Sequence, residues 1–128
     1  MIVEKRPGVP KYECFEYAKK TKDYVVLIPI INEGERITKE LTRGKEYHIS
    51  DYADIVICDG GSTDGCTDEN SLRSLDVNTL LIKHDEGKQG AQLRMGISWA
   101  LERGYEGVIT IDEITKIVLK MFRISLKN

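Results

Sequence analysis

Cysteine is scarce in this chain. Three residues, Cys14, Cys58 and Cys66, occur in 128. An odd number cannot all pair within one chain, and their spacing fits neither a zinc site nor a redox pair. That excludes a disulfide scaffold and a zinc module, and it leads us to expect reduced thiols of a cytoplasmic protein. Aromatic residues make up only 7% and form no stripe among basic residues, and the formal net charge is −2. Nothing in that balance recruits nucleic acid as a partner. The chain also has no run of about 18 apolar residues, so no membrane span is expected. The opening MIVEKRPG lacks the apolar stretch of a signal peptide. Neither a GxGxxG fingerprint nor a P-loop lysine motif occurs, which argues against dinucleotide and NTPase readings.

What is present is a chain 41% hydrophobic and 31% charged, the balance of one globular domain. Its size suffices to bury roughly two-thirds of the surface of the unfolded chain. Residues 1–23 are polar, with Pro7 and Pro10, and read as an N-terminal arm with a short helix over Tyr12–Lys20. Tyr24–Ile30 and Ala53–Cys58 are short apolar runs, the pattern of strands buried on both faces. Ile37 and Leu41 stand at helical spacing between them, with Gly44 as a stop. A short helix over 67–75 and a third strand, Val77–Lys83, follow. The clearest helix runs from about Lys88 to Arg103, with Leu93, Ile97, Ala100 and Leu101 on one face and Gly104 as its stop. Gly107–Ile111 is a fourth strand. Alternating strands and helices predict an α/β layered fold with a mainly parallel sheet.

In such sheets ligands bind beyond the carboxyl ends of the strands. Glu33, Asp59 and Asp112 all fall at that rim. Three carboxylates there repel one another unless hydrogen-bond donors of a nucleoside or a divalent cation satisfy them; the plainer reading has them capping helices or facing water. The glycine-rich loop Asp59–Gly65 lets the backbone come close to a ligand, and it is also ordinary turn chemistry, with Asp64 as a cap for the next helix. Gly87, Lys88 and Gly90 at the start of the long helix suit a diphosphate, with Arg94 one to two turns further in. His84 reads as a surface residue rather than a general base, and Trp99 as packing.

Three segments in order, VVLIPIINEGERI, ADIVICDGGSTDG and EGKQGAQLRMGISWALERGYEGVITID, resemble glycosyltransferase family 2, especially its dolichyl-phosphate mannose synthase branch. The resemblance runs from about Tyr24 to Asp112. It implies a three-layer, Rossmann-like nucleotide-diphospho-sugar transferase (GT-A) fold over 24–112, with the four strands in the order 3-2-1-4. By resemblance Pro29, Asn32 and Glu33 line the nucleoside pocket, and Asp59 binds the base in a loop shaped by Gly61 and Ser62. Lys88 and Arg94 approach the donor. Asp112 is the first acid of the Asp-x-Asp signature and the metal ligand, with Mg or Mn as the cofactor.

Two departures qualify what the resemblance implies. The second acid of the signature is replaced by Ile114, whose side chain cannot coordinate a metal, and adjacent Glu113 points elsewhere in extended chain. Family members continue well beyond this point to supply an acceptor surface and a catalytic base, whereas here sixteen residues remain, EITKIVLKMFRISLKN. The expectation is therefore an inverting glycosyltransferase incomplete at its C-terminus, with no catalytic base identified and not active alone. The alternative is a nucleotide-sugar-binding or interaction module without catalysis. The partners implied are a nucleotide-diphosphate sugar and an acceptor such as a lipid phosphate or polysaccharide. In the atypical tail 113–128, Ile114, Ile117, Val118 and Met121 recur at helical spacing among Lys116, Lys120, Arg123 and Lys127. That pattern suits a cover for an open sheet edge or, as a basic amphipathic segment, contact with a membrane surface.

Overall fold

A computed structural model describes residues 1–85 and 89–110. Lys88, Asp112 and the tail 113–128 lie outside the described residues. The elements in chain order are β1 (Ile2–Val3), β2 (Tyr12–Glu16), β3 (Tyr24–Ile30), α1 (Gly34–Glu46), a 3-10 turn (Ile49–Asp51), β4 (Asp54–Asp59), α2 (Glu69–Ser74), β5 (Val77–Lys83), α3 (Gln89–Glu102) and β6 (Gly107–Thr110). They form one six-stranded sheet in the order β1-β2-β5-β4-β3-β6. The four strands expected from the sequence are the parallel part, β5-β4-β3-β6, which is the expected order of third, second, first and fourth.

The Val- and Ile-rich strands β3 and β4 are buried on both faces because helices cover the sheet on both sides. Successive side chains alternate between two cores. Val26, Ile28 and Ile30 of β3 join Ile55 and Ile57 of β4 against Ile37 and Leu41 of α1 and Leu72 of α2. Val25, Leu27, Val56, Cys58 and Leu81 face the other way, onto Met95, Trp99 and Ala100 of α3. Each fully buried side chain of this size contributes about 1.5–3 kcal/mol.

The N-terminal segment differs from the sequence expectation. The helix expected over Tyr12–Lys20 is the strand β2, antiparallel to β5 from Tyr12↔Lys83 to Glu16↔Thr79. Tyr12 and Cys14 are buried with half-buried Glu13 between them, the period-two alternation of a strand, and Phe15 and Glu16 at its end are exposed. By pairing there it covers the edge that β5 would otherwise leave open.

The face of α3 also differs. Leu93, Ile97, Ala100 and Leu101 were expected to share the buried side, but Ile97 and Leu101 are exposed while Gln92, Met95, Trp99 and Ala100 are buried. Gly96 explains the rotation. A Cβ there would lie 2.7 Å from Cys58 Sγ and 3.0 Å from Leu27 Cδ1. The helix turns its smallest residue to the sheet and approaches closely. Gly104, in the left-handed region at φ +80°, then ends the helix as expected, and the Tyr105 N–H closes back on the Ala100 carbonyl at 3.2 Å.

At the amino end of β4, buried Asp54 gathers four donors from two segments of the chain. It accepts from Thr21 N at 2.9 Å, Lys22 N at 3.3 Å, the Thr21 hydroxyl and the Tyr105 hydroxyl at 2.7 Å. These bonds tie the segment before β3 to the turn after α3, at the opposite end of β4 from Asp59.

Candidate nucleotide-binding site

The carboxyl ends of β3 and β4 lead into two loops joined by side chains. After β3, Asn32 adopts a left-handed backbone at φ 47°, a conformation that asparagine tolerates better than most residues. Its N–H donates to Ser62 Oγ at 2.9 Å, and its side-chain carbonyl accepts the Thr63 N–H at 2.8 Å. After β4, Asp59 is buried, 1% exposed. Its Oδ2 accepts the N–H groups of Gly61 at 3.1 Å and Ser62 at 2.9 Å, and its Oδ1 accepts the Ser62 hydroxyl. Gly61 stands at φ +107°, which a residue with a Cβ adopts only under strain. Ser62 therefore links Asn32 to Asp59, and the two loops are hydrogen-bonded to each other.

A carboxylate offers about four acceptor positions. Three of those on Asp59 serve its own loop, which leaves one for an N–H of a bound group. Pro29 is buried within β3, opposite Cys58 of β4. Glu33 stands at the N-cap position of α1 without a side-chain cap, and its carboxylate pairs with Arg36 at 2.6 Å. Arg94 lies on α3, and its Nε donates to the Gly8 carbonyl at 2.7 Å, holding the N-terminal hairpin against the helix. His84 faces Glu13 on the surface, with 3.2 Å between Nε2 and Oε1.

Asp64 is not the cap of α2. That role falls to Asp68, which accepts the Ser71 N–H at 3.1 Å. Asp64 instead accepts from Gly34 N at 3.2 Å and Cys66 N at 3.0 Å, joining the same two loops one step further out. Bonds from Cys66 and Gly34 hold its carboxyl below the usual value. Beside it, between α1 and the 64–71 segment, lies an open groove of ≈ 520 Å³ with Lys39 and Asp64 in its walls. Cys58, fully enclosed, has its thiol pushed up to about 12 by burial, so it stays protonated and inert.

Sequence reasoning missed Gln92. It is 5% exposed, and its amide nitrogen donates to the carbonyls of Ile30 and Cys58, each at 2.9 Å. A signal was available: Gln92, Met95, Gly96, Trp99 and Ala100 follow the spacing i, i+3, i+4, i+7, i+8, which places the glutamine on the buried stripe. Among the described residues no group of three or more His, Cys, Asp or Glu is gathered to hold a metal ion. Glu33 is paired with Arg36 through Oε2, and three of the acceptor positions of Asp59 serve its own loop.

Comparison with known proteins gives two related enzymes. The chain is 30% identical over 97 residues to a polyprenol monophosphomannose synthase of Mycolicibacterium smegmatis, a match covering 73% of this chain and 36% of that protein. It is 30% identical over 91 residues to an undecaprenyl-phosphate mannosyltransferase of Micrococcus luteus, covering 69% of this chain and again 36% of the relative. The matches thus span about a third of the length of these curated relatives. No family model matches the chain, and no solved structure matches it significantly.

Proposed function

This chain belongs to glycosyltransferase family 2, and on that basis we propose that it binds the nucleoside diphosphate of a sugar donor at the carboxyl ends of β3 and β4. The observation that carries this reading is the network in which Ser62 joins Asn32 to Asp59. It pre-forms a turn at the rim where open parallel sheets take their ligands, so little ordering is left to be done on binding. Asp59 offers its remaining acceptor position to a base N–H. Pro29, Asn32, Glu33 and Gly61 shape the nucleoside pocket, and the family resemblance assigns Lys88 and Arg94 to the diphosphate.

The reaction this reading implies is displacement at the anomeric carbon. An acceptor oxygen forms the new bond, the bond to the diphosphate breaks, and the configuration inverts. The names of the two relatives favour a polyprenyl phosphate acceptor and mannose as the sugar. Mg or Mn would rest on Asp112 and on diphosphate oxygens. A cytoplasmic location with membrane-surface contact through 113–128 belongs to the same reading. No helix among the described residues is long and apolar enough to cross a membrane. Ile114, in place of the second acid, favours the companion reading of donor binding without transfer, and the two readings differ only in whether sugar reaches the acceptor.

An NMR titration of the chain with UDP and GDP tests the site. Amide shifts centred on Asn32, Gly61 and Ser62 are expected. Shifts confined to the α1 groove, or no shifts at millimolar nucleotide, would contradict it.

A further inference from the structure

The geometry points to Gln92 as a positioning residue that fixes the loops after β3 and β4 relative to each other and, through them, the nucleoside site. The link to nucleotide rests on the function proposed above; the placement of the loops does not. A primary amide carries two N–H donors. Here one nitrogen serves two neighbouring strands, with Ile30 O and Cys58 O each at 2.9 Å. Those carbonyls lie immediately before the residues that matter. Ile30 precedes Ile31 and the left-handed Asn32, and Cys58 precedes Asp59. Ile30 O also accepts the Gly60 N–H at 2.9 Å, so a single carbonyl joins the end of β3, the loop after β4 and α3.

Gly60 records the same fit from the other side. A Cβ on it would meet the Gln92 amide at 3.0 Å, so the amide lies directly over the backbone where the loop begins. Met95, Trp99 and Ala100, buried on the same side of α3, make apolar contacts in the core. Gln92 is the polar member of that stripe, placed where the two strands end. It also sits in the first turn of α3, just after the segment that carries Lys88. It therefore connects the start of α3 to the ends of β3 and β4.

Two substitutions separate positioning from plain stability. Gln92→Met keeps the length of the side chain and donates nothing. Gln92→Glu keeps the shape, donates one hydrogen bond when protonated and none when ionised. The full chain is used throughout, at a temperature where circular dichroism shows each variant folded. In Gln92→Met, amide hydrogen exchange at Gly60, Gly61 and Ser62 should rise by about tenfold or more, while Val26 and Ile57 in mid-sheet keep their protection. Affinity for UDP or GDP, whichever the parent binds, should fall by about fivefold or more. Gln92→Glu should bind the nucleotide more tightly at about pH 5 than at about pH 8, relative to the parent. Unchanged exchange at the three loop amides, or an equal rise across the whole sheet, would overturn the inference. So would unchanged affinity in both variants of a parent that binds. If the parent binds neither nucleotide, the reading of the site as a nucleotide site fails. The exchange pattern alone then decides whether Gln92 places the loops.

Discussion

Asn32 and Ser62 hold each other across the gap between two strand ends: the Asn32 N–H donates to Ser62 Oγ at 2.9 Å, and Ser62 passes its own hydroxyl hydrogen to Asp59. The left-handed backbone of Asn32, at φ 47°, makes this possible by turning its N–H toward the second loop. Asn32→Ala loses the side-chain acceptor for Thr63 N and strains the turn, at a combined cost of about 1–3 kcal/mol. Asn32→Gly loses the acceptor but relaxes the backbone, so it should cost less. Thermal unfolding should rank parent, glycine and alanine in that order, with roughly 3–5 °C per kcal/mol for a chain of this size. Alanine melting above glycine would contradict the strained turn.

Gly96 meets the sheet with no room to spare. Gly96→Ala puts a methyl group 2.7 Å from Cys58 Sγ, and overpacking of this kind costs about 1–3 kcal/mol. That should exceed the gain of up to about 1 kcal/mol from replacing glycine in a helix. Cys58→Ala removes the sulfur and opens a small void. The double variant should therefore lose less than the sum of the two single variants, measured by urea unfolding. Strict additivity would mean that the two positions do not touch.

Tyr105 and Asp54 give a pH signature. Burial, then the bond to Asp54, raises the Tyr105 phenol above its usual value, and burial pushes Tyr12 up to about 12. A tyrosine in the unfolded chain titrates near about 10. The neutral phenols thus contribute their full stability below that pH. The contribution is lost as pH rises from there toward the folded values. Tyr105→Phe should lower stability at neutral pH by about 1–3 kcal/mol and make the alkaline decline shallower. Urea midpoints across the alkaline range check both. An alkaline limb as steep as that of the parent would contradict the role of Tyr105.

The sequence showed the parallel core plainly because β3 and β4 are short apolar runs bounded by turn residues, the pattern of strands covered on both faces. It showed the strand-end loops as well, since Asp59-Gly60-Gly61-Ser62 is dense in turn formers. Strand β2 was hidden because YECFE breaks its alternation at Phe15 and sets charged Glu13 and Glu16 three residues apart, which resembles a surface helix until β5 supplies their partner. The face of α3 was misread because large apolar residues attract attention, whereas the contact is set by Gly96, which has no side chain to count. Gln92 went unnoticed for a related reason: a lone glutamine looks solvated, and only the two carbonyls beneath it show otherwise.

Replacement of the second acid by Ile114 leads to a prediction about metal. If Asp112 is the one carboxylate assigned to the ion, protein oxygens alone are too few for a hard cation, and diphosphate oxygens must complete the shell. Mn²⁺ should therefore broaden NMR signals of the chain in the presence of UDP or GDP and leave them sharp without nucleotide. Tight Mn²⁺ binding to the nucleotide-free chain would contradict this.

Nucleotide binding that depends on Asp59 is the central claim, and calorimetry with UDP and GDP on the parent and on Asp59→Ala tests it most directly. Removing the carboxylate takes away the acceptor proposed for the base and the support of the Gly61–Ser62 turn. The account predicts measurable binding of one nucleotide by the parent and a loss of roughly 1.5–3 kcal/mol in the variant, with circular dichroism showing the sheet intact. No heat with either nucleotide at millimolar concentration, or equal affinity in the parent and the folded variant, would contradict it.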